Sequence, residues 1–389
     1  MTEENSDEWT FVPPKKSSSR KGNTTKKRQS QLAKARQLYS TIHHDEKDNN
    51  NDTKNKPQDT EALKQRLILT IDKCIREMKE FGQGQGHQTT KHKNHLFDLQ
   101  TLVKSIQDAV KSNESIDDND ECEHERGRID EIICYGIGNF YGARDNRYNA
   151  PLVQLACVLA LREALSKEAN VDVSNDSQEE LQLDVDQVSI VYFEPFIKPI
   201  EREVLAHYHV KVLDSNEQGK RRVAKDCRIY DDASSLNPSP SNCISTCSTL
   251  FYMPHCPMRL YSNVLWANWE KELILGGRMI IFGNSFKAYD ERIISFEKKK
   301  GDKTNAIFPL LPYSCEVDIL SLALKEFSRN RSRDGLSTNM NSMNTLCGQD
   351  LEMAFNDCVV ISFQDDASIP FPSQPDEYIV AKDGDGELI

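Results

Sequence analysis

The chain has 389 residues, 38% hydrophobic and 28% charged, with a formal net charge of -12. That length holds one large domain or two small ones, and the acid excess argues against general nucleic-acid binding, because phosphates would be repelled over much of the surface. The start, Met1 to Thr10, is polar and acidic where a secretory signal needs a basic and then an apolar run. The longest near-continuous apolar stretch, Leu152 to Leu161, is broken by Gln154 and is about half as long as a bilayer requires. The 11 cysteines form no CxxC pair, so a reducing compartment, cytoplasm or nucleus, is expected.

In chain order, residues 1–60 read as a disordered polar tail. Nine Lys or Arg and no acid lie between Phe11 and Arg36, with clusters at Lys15-Lys16, Arg20-Lys21 and Lys26-Lys27-Arg28. These fit a nuclear import signal, or equally a solvated basic tail. Residues 61–127 read as a helical extension and linker. Leu63, Leu67, Ile71 and Cys74 or Ile75 recur at helical spacing over residues 60–80, and Leu96, Leu99, Val103 and Ile106 do so over residues 95–110. Residues 111–127 are acidic and polar, as a linker would be.

Regular alternation begins at residue 128. Ile129–Tyr135 reads as a buried parallel strand running into Gly136-Ile137-Gly138. Pro151 opens a helix to Lys167, at the first-turn position that tolerates a missing N–H. After an acidic insert at 170–186 come a strand, Gln187–Phe193, closed by Glu194-Pro195, a helix, Pro199–His209, and a strand, Val210–Leu213. A further strand, Thr249–Met253, is followed by Pro254-His255-Cys256-Pro257 and a helix, Met258–Leu275, stopped by Gly276-Gly277. Arg278–Phe282 is a strand ending in Gly283-Asn284-Ser285, Cys315–Ser328 has a helical pattern, residues 329–349 read as a polar loop, and Cys358–Phe363 is the last strand. The acidic tail from residue 364 reads as disordered. The pattern predicts an α/β domain over residues 128–363: a three-layer, doubly wound, mostly parallel, Rossmann-like sheet with helices on both faces. Such folds bind ligands beyond the carboxyl ends of their strands.

Several of these runs resemble the sensitivity-to-red-light-reduced (SRR-like) family. They are Ile133 to Phe140, Pro151 to Ala156, Tyr192 to Phe196, Thr249 to Pro257, Gly283 to Phe286 and Phe355 to Asp357. The Met-Pro-His-Cys-Pro segment is the most specific; the glycine loop alone is not. The resemblance covers about residues 128–363 and implies a regulatory protein connected with circadian-clock input and with the control of heme biosynthesis, working through protein partners. It carries over no catalytic residues.

The residues themselves leave several chemistries open. Gly136-x-Gly138-x-x-x-Gly142 between a strand and a helix lets backbone approach a phosphate or adenosyl group, and Glu194 could hold ribose hydroxyls of NAD or S-adenosylmethionine. Alternatively these are a tight turn and a surface acid. His255 could serve as a general acid–base and Cys256 as a heme-iron ligand, or both could be structural. Tyr252, Asn284 and Ser285 complete the candidate ligand-binding set, with Ser285 able instead to cap the next segment. Cys243-x3-Cys247-x7-His255-Cys256 is not a usual structural zinc spacing. No P-loop, G-x-S-x-G elbow or HExxH is present. The choice between a ligand-sensing regulator and a Rossmann-like enzyme, such as a methyltransferase using S-adenosylmethionine, stays open at this level.

Overall fold

The computed structural model describes residues 60–82, 99–111, 128–141, 148–169, 188–223, 248–292, 305–318, 346–366 and 368–375. The basic tail, the acidic linker and insert, Gly142, Cys243, Cys247, the polar loop up to residue 345 and the last residues of the chain lie outside these. The described residues belong to one unit, Asp59–Ile389.

The strands are β1 (Ile129–Tyr135), β2 (Ser189–Phe193), β3 (Lys211–Val212), β4 (Ser248–Met253), β5 (Met279–Asn284), β6 (Ser314–Val317) and β7 (Cys358–Phe363). They form one seven-stranded sheet in the order β3-β2-β1-β4-β5-β7-β6. The first five are parallel neighbours, while β7 runs antiparallel to both β5 and β6. The sheet is therefore mixed, and the expectation of a mostly parallel one is corrected. The misreading has a local cause. Val317 belongs to a helical pattern in the sequence, yet Ser314–Val317 is a strand pairing with β7 from Ser314↔Phe363 to Val317↔Val360. Tertiary pairing overrides the start of that apolar spacing; the rest of the pattern, from residue 319, lies outside the described residues.

Nine α-helices lie among the described residues: α1 (Thr60–Gly82), α2 (Leu99–Lys111), α3 (Ala150–Ala169), α4 (Pro199–His207), α5 (Met258–Ala267), α6 (Lys271–Ile274), α7 (Phe286–Arg292), α8 (Ile307–Leu310) and α9 (Gly348–Phe355). Alternate strand side chains enter two separate cores. Ile132, Cys134, Leu250 and Tyr252 join residues of α1, α2, α3 and α9; Ile133, Tyr135, Phe251 and Met253 join residues of α5 to α8. This is the period-two signature of strands buried on both faces, and explains their unbroken apolar sequence.

α3 is buried continuously from Leu152 to Leu161, as a helix apolar all round must be. Ile68, Ile71, Cys74 and Met78 of α1 and Leu99, Leu102, Val103 and Ile106 of α2 belong to the same core as α3. The two leading helices are thus packed into the α/β core, and the buried stripe of α1 is rotated from the one expected, with Leu63 and Leu67 only partly covered.

Two further expectations change. The helix expected over Met258–Leu275 is interrupted at Asn268, Trp269 and Glu270. The buried Asn268 amide donates to Val264 O and Arg221 O at 2.8 and 2.9 Å and accepts from Val223 N at 2.8 Å. That side chain ends α5 by fastening it to the segment after β3. Residues 368–375, read as part of a disordered tail, dock instead. Trp269 Nε1 donates to Pro372 O, Trp266 Nε1 to Pro375 O and the Tyr313 hydroxyl to Pro370 O, while Phe371 packs on Trp269 and Tyr313.

Asn268→Ala is expected to destabilise the fold by about 2–3 kcal/mol, because it strands a buried amide and two carbonyls. Urea unfolding measures this, and a loss below about 0.5 kcal/mol would show that the contacts are dispensable.

Candidate functional site

The chain runs from β1 outward to β2 and β3, then returns to β4 on the other side of β1. Directions of progression diverge between β1 and β4, so the crevice outside their carboxyl ends is the place where a ligand meets two loops at once. The strand ends at that place are Tyr135, Phe193, Met253 and Asn284.

Gly136 (φ 65°) and Gly138 (φ 85°) take left-handed backbone directly after β1, which side chains adopt only at a cost. A Cβ on Gly138 would make ordinary contact with Pro151 at 3.5 Å, so conformation rather than crowding calls for glycine there. The loop is held by two buried carboxylates. Glu194, 8% exposed, accepts Gly138 N–H at 2.9 Å on one oxygen and Phe196 N–H at 3.3 Å on the other. Glu201, fully buried, accepts Tyr141 N–H at 2.9 Å and, as the third residue of α4, Lys198 N–H at 2.9 Å. The Tyr192 hydroxyl donates to Gly138 O at 3.4 Å. Asn149 caps α3 by accepting Leu152 N–H at 2.9 Å.

Burial pushes the Glu194 carboxyl above its ordinary range; the two backbone donors oppose this and the Glu201 charge adds to it. The arrangement has a chemical consequence. The amides at Gly138 and Tyr141, which an anionic phosphate would use, already serve carboxylates. A carboxylate with lone pairs to spare accepts from hydroxyls and attracts cations, so this end of the crevice suits a hydroxyl-bearing or cationic group better than a phosphate.

The second loop, Pro254 to Pro257, is fastened by Asn284. Asn284 Oδ1 accepts His255 N–H at 3.0 Å, and its Nδ2 donates to Cys256 O at 3.2 Å and to the Tyr289 hydroxyl at 2.8 Å. The Tyr289 hydroxyl donates in turn to Cys256 O at 3.1 Å. The Tyr261 hydroxyl accepts Asn284 N–H at 2.8 Å and donates to Met253 O. His255 is exposed, sits at φ 58°, and has Nε2 3.0 Å from Ala354 O. A carbonyl only accepts, so Nε2 carries a proton and the ring is pinned by it.

The remaining candidates occupy structural positions. Cys256 is buried, with Sγ donating to Tyr135 O at 3.2 Å, and burial first of all drives its thiol well above the usual range. A thiolate ligand needs the opposite environment, so the residues present do not fit a heme held through Cys256. Tyr252 points into the core, donating to Gln154 O at 2.9 Å and stacking on Phe282 at 5.2 Å. Ser285 caps α7, accepting Ala288 N–H at 3.0 Å while donating to Glu316 at 2.6 Å. Among the described residues no group of three or more His, Cys, Asp or Glu is placed to hold a metal ion.

The structure thus brings Gly136, Gly138 and Glu194 together, brings His255, Cys256 and Asn284 together, and joins the two sets through the Cys256–Tyr135 bond. Glu201 is the residue the sequence reading missed. Its signal was a capping pattern, Lys198-Pro199 with an acid three residues after the cap.

Comparison with known proteins places the chain. Residues 99–362 match the SRR1 domain. Over 163 residues, 42% of this chain, it is 29% identical to an SRR1-like protein of Mus musculus, covering 47% of that protein. Over a segment of the same size it is 27% identical to Protein SENSITIVITY TO RED LIGHT REDUCED 1 of Arabidopsis thaliana, covering 42% of it, and 26% identical to an SRR1-like protein of Drosophila melanogaster, covering 41%. The matched segment therefore spans less than half the length of each of these relatives. No solved structure matches the chain significantly.

The raised Glu194 pKa has a defined sign in stability. The native state holds this proton more tightly than the unfolded chain, so wild type loses stability relative to Glu194→Gln as pH rises from about 4.5, the ordinary carboxyl value, through the raised native value. Urea unfolding of both proteins from pH 4 to pH 7 measures the difference, and a flat difference would show that Glu194 is not desolvated.

Proposed function

The chain belongs to the SRR1 domain family, and from that premise we propose that it is a regulatory protein that senses a small molecule at the carboxyl ends of β1, β2 and β4. The observation that carries this reading is the buried Glu194 carboxylate bonded to Gly138 N–H. It is an expensive charge placed at the carboxyl end of β2, against the loop that follows β1. On this reading the domain is a doubly wound, Rossmann-like layer structure in which the antiparallel β7 lies between β5 and the edge strand β6. Its biological setting is the one the family resemblance implies: circadian-clock input and the regulation of heme biosynthesis, through protein partners. It works in the cytoplasm, and the basic tail before Arg36 carries it to the nucleus. It binds neither nucleic acid directly nor a membrane; among the described residues no helix is long and apolar enough to cross one.

A second reading is an enzyme, a transferase using S-adenosylmethionine. It is favoured by Glu194 itself, an acid directly after the second strand, where doubly wound nucleotide-binding folds hold ribose hydroxyls. This is a fold-level analogy, supported by a site whose carboxylates suit a hydroxyl-bearing cation.

Thermal unfolding of the full chain with S-adenosylmethionine, NAD, ATP or hemin separates the readings. A ligand present at about 100 times its dissociation constant stabilises the native state by about 2.7 kcal/mol. The expected result is stabilisation by an adenosyl or nicotinamide compound that is lost in Glu194→Ala. Stabilisation by hemin that is lost in Cys256→Ala would overturn the Glu194 site. No stabilisation by any of them would leave a scaffold acting through proteins alone.

A further inference from the structure

Arg162 lies within the buried helix α3 and is only 9% exposed. Its Nη1 donates to Tyr208 O at 2.7 Å, and its Nε is buried with no partner. No carboxylate pairs with it among the described residues. The neighbouring Glu163 is engaged by Lys79 and by Lys167. Asp72, across the same space, accepts the Tyr208 hydroxyl at 2.9 Å. A guanidinium is costly to bury without an anion, and burial pulls its pKa below the usual value.

Arg162 does not face packed protein on all sides. It lines a groove of about 320 Å³ together with Arg76, Lys79, Asp72, Glu163 and Tyr208. The groove runs between α1, α3 and the residue that follows α4. Arg76 is exposed and makes no ion pair among the described residues. With Lys79 and Glu163 neutralising each other and Asp72 occupied by Tyr208, two guanidinium groups are left with unused donors around one concavity. None of the residues of the strand-end crevice lines it.

We propose that this groove binds a small oxyanion, a phosphate monoester or a carboxylate, with Arg162 as its buried fork and Arg76 as the second cation. A planar guanidinium presents paired donors that match two oxygens of either group. The volume is that of a site for a compact metabolite. An anion there supplies what the fold leaves out: a counter-charge for Arg162 and an acceptor for its unpaired donors.

The test uses the full chain, followed by calorimetric titration and by thermal unfolding. The probes are inorganic phosphate and malonate, each compared with sodium chloride at matched ionic strength. Binding above the chloride control is expected. Arg162→Met and Arg76→Gln should each weaken it at least tenfold, and Arg162→Lys, which keeps the charge but loses the fork, should weaken it nearly as much as Arg162→Met. Tighter binding of phosphate assigns the site to phosphate esters, and tighter binding of malonate assigns it to carboxylates. If Arg162→Met fails to fold, Arg76→Gln, on the exposed side of α1, decides alone. The proposal is overturned if neither anion binds above the control, or if binding is unchanged in the folded variants.

Discussion

Where parallel strands end, their last amides and carbonyls leave the ladder and must find partners out of water. This protein meets that requirement with side chains rather than with solvent, and the rest of the crevice follows. Glu194 and Glu201 take amides of the loop after β1, Asn284 takes the His255 amide and the Cys256 carbonyl, and Tyr261 bridges Met253 to Asn284. Each of these groups is fixed by the atom it satisfies. Gly283 shows how closely the scheme is fitted, since a Cβ there would overlap the Tyr261 hydroxyl. A loop tied down in this way is preorganised, so a ligand would meet a formed surface instead of ordering one.

Much of the fold could be read directly because burial on both faces leaves little ambiguity. β1 and β7 occupy the ranges expected of them, and β4 begins one residue early. Their continuous apolar runs have no polar face to blur a boundary. The failures share a different cause: a partner remote in sequence decided the conformation. Ser314–Val317 became a strand because β7 offers it an edge, α5 stopped because Asn268 reaches Arg221 and Val223, and Phe371 is held by Trp269 and Tyr313. Nothing in the local spacing encodes any of these contacts.

The site was legible as punctuation and much less as chemistry. Gly136, Gly138, Pro254 and Pro257 marked the loops that follow β1 and β4, and the structure puts them there, while Gly283 lies inside β5, which runs on to Asn284. Side-chain roles were not so readable. Tyr252 and Cys256 carry reactive groups, but alternation in β4 and the bend after it send both inward, where burial raises both ionisations well above the usual range. Glu194 could be read from the sequence as a ribose-binding acid or as a surface acid before a proline. Only its burial and its bond to Gly138 distinguish it.

The two sites proposed here are opposites in charge and share one element. The crevice presents carboxylates that hold backbone amides, and the groove presents two guanidinium groups whose neighbouring carboxylates, Asp72 and Glu163, are bonded to Tyr208 and to lysines instead. α3 links them. Its cap, Asn149, adjoins the glycine loop through a bond to Phe140 O, and Arg162 lies 13 residues further along the chain, about 20 Å along the helix axis. Because α3 is encased on all sides from Leu152 to Leu161, it cannot bend locally to accommodate a displacement at one end; close-packed helices move as units. An anion that draws Arg162 toward α1 therefore acts on the same rigid body that positions the loop held by Glu194. In a regulatory protein this gives a physical route by which one metabolite could change the affinity for another, provided the two ligands favour different placements of α3.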